Sequence, residues 1–101
     1  MFFSVPMAIV AVPAAIAVAE GRAEHGRELA QALCSRCHAI TASGASPMPQ
    51  APPFSEIVRR YPPESLAEAL AEGLVTGHPA MPEIRLEPRA IADFLAFLET
   101  L

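Results

Sequence analysis

Cys34-Ser35-Arg36-Cys37-His38 is the one stretch of this sequence whose residue types and spacing could do chemistry on their own. Two thiols with two residues between them, followed at once by an imidazole, form the C-x-x-C-H pattern through which a haem is covalently attached. On one helical turn both sulfurs can reach the two vinyl groups of a porphyrin, and the next side chain, His38, can donate a ring nitrogen to the iron from below. Other uses of a thiol pair fit less well. A closed zinc site needs four ligands, and outside the pentapeptide only His25 and His78 could add imidazoles. A thioredoxin-like dithiol belongs beside a βαβ pattern, which is absent. A disulfide at this spacing would close a very small loop. The abutting histidine favours haem.

A second donor for the iron is sought in the loop Leu74 to Pro82, which has no helical period. Met81, 43 residues after His38 and flanked by prolines, is read as that ligand. A thioether is soft, favours ferrous iron and raises the reduction potential. The prolines restrict the shapes the loop can take. His78 and Met48 are the competing donors. His78 would give bis-histidine iron and a lower potential, and Met48, in a proline-rich loop, is better suited to walling the haem edge. His25 is read as an exposed side chain.

The elements that must position these groups read as helices. From about Ala23 to His38, Leu29, Ala30, Ala32 and Leu33 keep a helical period. Gly26 interrupts it, as a frayed first turn or as a point of close approach. Ile40 to Pro53 is loop, with four prolines. Phe54, Ile57, Val58 and Tyr61 recur at helical spacing over a short helix ended by Pro62-Pro63. Another helix is predicted from Pro63 to Glu72, with proline at its first position and Gly73 as its stop. Leu66, Ala69 and Leu70 face inward there, opposite a wet ladder of Glu64, Glu68 and Glu72. The last helix starts near Pro88, with Ile91, Phe94, Leu95, Phe97 and Leu98 on its apolar side. The fold class is all-α: three main helices and a short one wrapped around one covalent haem. Two loops this long in so small a domain need something to enclose.

Composition sets further bounds. Residues 1–19 carry no charge and end in Ala17-Val18-Ala19, which reads as a secretory signal peptide cut after Ala19, with an uncleaved membrane anchor as the rival. Residues 20–101 form one domain, small enough for its polypeptide core to be marginal without the porphyrin. All seven basic residues are arginine against eleven acidic ones, a net charge of −4. That excludes the basic stripe of a nucleic-acid binder. It also excludes a lysine ring for acidic partners, so docking through apolar contact or through the partner's own basic patch is expected.

The chain as a whole resembles the class I c-type cytochromes, small soluble bacterial electron carriers. The resemblance rests on Cys34, Cys37 and His38, on Gly77-His78-Pro79-Ala80-Met81-Pro82, and on the terminal stretch Ile91 to Leu98. It implies that the first and last helices cross beside the haem, with Gly26 admitting the face of Phe94 and Phe97. It implies a carbonyl, of Pro52 or its neighbour Ala51, that accepts a hydrogen bond from His38. It implies a haem propionate held by Tyr61 or Arg59. The expected function is one-electron transport by a periplasmic, monomeric carrier with one His/Met-ligated haem c, serving redox partner proteins and acting as no enzyme. The alternatives are a haem subunit of one dehydrogenase or oxidase complex, and a gas or redox sensor in which Met81 leaves the iron.

Overall fold

Prolines and glycines mark the helix ends. The computed structural model describes residues 4, 21–73 and 79–101. The leader reading, apart from residue 4, and the readings of Gly77 and His78 lie outside the described residues. Among the described residues there are four helices in the order α1 (Ala23–Leu33), α2 (Phe54–Arg60), α3 (Pro63–Glu72) and α4 (Pro88–Leu98). Three have ten or eleven residues and α2 has seven, the three-plus-one all-α arrangement expected. Pro63 and Pro88 occupy first-turn positions of α3 and α4, where a missing N–H costs nothing. Gly73 ends α3 at φ +105°, a conformation side chains resist. No helix among the described residues is long and apolar enough to cross a membrane.

α1 stops short of the expected boundary. Its ladder closes at Leu33 rather than running to His38. The cause is Ser35. Its hydroxyl donates to the Gln31 carbonyl at 2.5 Å, and its own N–H reaches back five residues to Ala30 at 3.0 Å. Both break the i to i−4 register. A single further turn, His38 N–H to the Cys34 carbonyl at 2.9 Å, then carries the C-x-x-C-H stretch.

The core lies where α1 meets α4. Ala30 on α1 and Ile91, Phe94, Phe97 and Leu98 on α4 are buried, joined by Ile40, Phe54 and Leu70. Gly26 is the point of closest approach. A Cβ there would collide with the Asp93 carbonyl oxygen and sit 2.8 Å from Phe97 Cβ, so the close-approach reading holds and the frayed-turn reading does not. Gly21, at φ +71°, lies as tightly against the Ala92 carbonyl.

One charged residue sits inside this junction. Asp93 is 1% exposed. Its carboxylate accepts the Arg22 backbone N–H at 2.6 Å and the His25 Nδ1–H at 2.5 Å, with Arg89 Nε 3.7 Å away. His25, expected on the wet side of α1, is therefore half-buried and committed to this pair. The hydrogen bond from His25 holds the Asp93 carboxyl below the usual carboxylate range; burial opposes this, and the Arg22 N–H and Arg89 add to it.

Candidate cofactor site

The turn after α1 brings Cys34, Cys37 and His38 to the wall of an apolar cavity of about 540 Å³. That volume suits a small-molecule cofactor, whose pockets run from about 300 to 1,000 Å³. The other walls come from the end of α2 at Tyr61, from Leu66 and Ala69 of α3, and from Met81 and Ile84 in the segment before α4. Both cysteines and both candidate axial side chains thus line one space.

His38 is oriented from behind. Its Nδ1 lies 2.7 Å from the Pro52 carbonyl oxygen. A carbonyl can only accept, so Nδ1 carries the proton and Nε2 keeps its lone pair for a metal. The carbonyl belongs to Pro52 and not to Ala51, although both residues line the cavity. The Phe54 ring lies against the imidazole, centroids 5.7 Å apart, and meets Phe94 edge-on at 5.8 Å. The Phe54 N–H donates to the Ala39 carbonyl at 2.8 Å, so the start of α2 is tied to the turn that holds His38. The loop between is folded by Met48 N–H to the Cys37 carbonyl and Ala51 N–H to the Met48 carbonyl, at 3.1 and 3.0 Å. Met48 consequently lines the cavity, as a wall of it.

The thiols are not bridged to each other. Burial, and then the neighbouring Cys37, push the Cys34 thiol up to about 11. At neutral pH it is a protonated thiol and a poor redox nucleophile. Among the described residues no group of three or more His, Cys, Asp or Glu side chains gathers around a point. A thioredoxin-like use of Cys34 gains nothing from this environment, and among the described residues no further ligands gather with the two sulfurs for zinc.

Of the propionate candidates, Tyr61 lines the cavity and is 45% exposed. Arg59 is exposed on α2 and is not among the lining residues. The expected inward residues divide between two surroundings. Leu70 is buried in the core, while Leu66, Ala69 and Leu33 face the cavity, Leu33 at 47% exposure.

Three helices bordering an apolar space, with a thiol pair and an oriented imidazole in one wall, define a haem-attachment protein. The chain belongs to the cytochrome c family: the cytochrome c family model matches residues 23–101. Its helical order and C-x-x-C-H turn are those of the class I c-type cytochromes. It is 33% identical over 79 residues to cytochrome c-552 of Bradyrhizobium diazoefficiens, covering 78% of this chain and 74% of that one. No solved structure gives a significant match. The cofactor is accordingly haem c, covalent through Cys34 and Cys37, and the chain is an electron-transport protein that exchanges electrons with redox partners.

Proposed function

We propose that this cytochrome is an exported one-electron carrier whose iron is held by His38 and Met81. The observation that carries the reading is the sharing of one apolar cavity by Cys34, Cys37, His38 and Met81. When bound, haem supplies a one-electron ferric–ferrous couple.

The side chains would determine how that couple behaves. The Pro52 carbonyl fixes the His38 ring and strengthens Nε2 as a donor. Met81, a soft donor, favours the reduced metal. Apolar walls at Leu66, Ala69 and Ile84 exclude water, which also favours the less charged state. With His38 and Met81 both holding the iron, no position would be left for a substrate, and the chain would carry electrons without catalysing a reaction. Tyr61, whose phenol lines the cavity, is the better placed of the two propionate candidates. Leu33 and Tyr61 are the large apolar side chains left exposed among the described residues, and both line the cavity.

The apolar leader ending in Ala17-Val18-Ala19 supports export to the periplasm, with attachment to the membrane only if that segment is retained. The test of carrier function is a potentiometric titration of the haem-loaded protein followed by its visible absorption. A single reversible one-electron wave is expected. An irreversible or multi-electron response would contradict the carrier reading.

A further inference from the structure

We infer that Arg85 is a positioning residue for Met81: it fastens the segment from Ala80 to Leu86 onto the C-terminal end of α3 and so keeps the Met81 thioether on the iron. The inference rests on the His38/Met81 ligation proposed above.

The last carbonyls of a helix have no partner within it. At the end of α3 two of them are taken by this segment. The Glu72 carbonyl accepts from Arg85 Nη2 at 2.9 Å, and the Leu70 carbonyl accepts the Leu86 N–H at 2.9 Å. A guanidinium at the negative end of a helix dipole is favourably placed. Its fork lets Arg85 face the Glu83 carboxylate as well, 3.9 Å away.

Gly73 makes the docking possible. At φ +105°, a conformation that side chains resist, it turns the chain out of α3, and the ends of the Glu83 and Arg85 side chains lie over it. The segment therefore lies directly on the helix terminus. α3 also contributes Leu66 and Ala69 to the cavity wall, and the segment contributes Met81, Pro82 and Ile84. Arg85, four residues after Met81, joins these two walls. Both contacts of Arg85 are exposed; the ion pair, at 3.9 Å, adds little, and the hydrogen bond to the helix carbonyl is the fastening.

The test compares the haem-loaded parent with Arg85→Ala, Arg85→Lys, Gly73→Ala and Met81→Ala. It reads carbon monoxide binding to the reduced protein, the sulfur-to-iron charge-transfer band of the oxidised protein, and thermal unfolding. Losing this exposed charged hydrogen bond should raise the carbon monoxide binding rate of Arg85→Ala about threefold. The band should weaken in parallel. Arg85→Lys should recover most of both, and Gly73→Ala should shift both in the direction of Arg85→Ala. Met81→Ala sets the upper limit of the rate. If Met81→Ala binds fast but Arg85→Ala binds like the parent, with or without a lower melting temperature, Arg85 is a surface residue only and the inference is overturned. If Met81→Ala itself binds no faster than the parent, the ligation reading fails and the inference falls with it.

Discussion

The two ends of α1 meet opposite surroundings. At its start, Gly21, Arg22, His25 and Gly26 press against α4 so closely that backbone meets backbone, and the buried carboxylate of Asp93 is fully partnered. At its end, Leu33 and Cys34 open onto a cavity with apolar walls. The first region is finished by polypeptide alone: among the described residues no buried polar side-chain atom lacks a partner. The second is finished only by a cofactor, because Leu33, Tyr61 and Met81 have apolar surface that no protein group fully covers. The comparison shows how so short a chain can fold. One half of its core is a helix crossing made tight by glycine, and the other half is a cofactor's face.

Breaking the first region should have the largest effect on stability. Glycine in a helix interior costs about 1 kcal/mol against alanine, so propensity alone makes Gly26→Ala stabilising. The contact with the Asp93 carbonyl and Phe97 says the opposite. Overpacking against backbone, which cannot swing aside, costs about 1–3 kcal/mol or more, and should win. Because the contact is with backbone, a cost of about 3 kcal/mol less the gain of about 1 leaves a net loss of about 2 kcal/mol, or roughly 8–16 °C in melting temperature for a domain of this size. Thermal unfolding of the haem-loaded variant measures it, and a rise in melting temperature would show that α1 and α4 are not in this contact.

Asp93 should give a smaller and pH-dependent effect. Its carboxyl titrates below the ordinary carboxylate range, chiefly because His25 donates to it, so the unfolded chain takes up the proton first as pH falls. The stabilisation it brings is therefore complete above about pH 4 and is lost as acid carries it through the lowered folded value. Asp93→Asn should melt lower than the parent at neutral pH and lose less further stability below about pH 4. Parallel melting curves down to low pH would show that the carboxylate is not what joins Arg22 and His25 to α4.

Much of the second region was legible in the sequence, and the polar part of the first was not. Cysteine, histidine and methionine announce metal chemistry by type, and the prolines around Met81 and between Ser46 and Phe54 mark loops, so Cys34, Cys37, His38 and Met81, which share one cavity, could be picked out before any coordinates. The choice between Pro52 and Ala51 could not be made, because which carbonyl faces an imidazole depends on a turn of the loop that carries no sequence signal. Asp93 does not stand out in the amphipathic pattern of the last helix. A signal existed: it lies four residues before Phe97, on a stripe that is otherwise buried, and a carboxylate there must have a partner. His25, next to the glycine of closest approach, was the partner to suspect. The early end of α1 was hidden for a related reason, since apolar period continues through Cys34 while a single serine hydroxyl competes for the Gln31 carbonyl. Periodicity reports which face is apolar and says nothing about such competition.

The central claim is that the cavity holds the iron between His38 and Met81. The measurement that tests it most directly is the near-infrared absorption of the oxidised, haem-loaded protein beside Met81→Ala. A sulfur-to-iron charge-transfer band in the parent, lost in the variant, is the expected result. A parent without that band, or a variant that keeps it, would contradict the claim and return His78 and Met48 as the donors to examine.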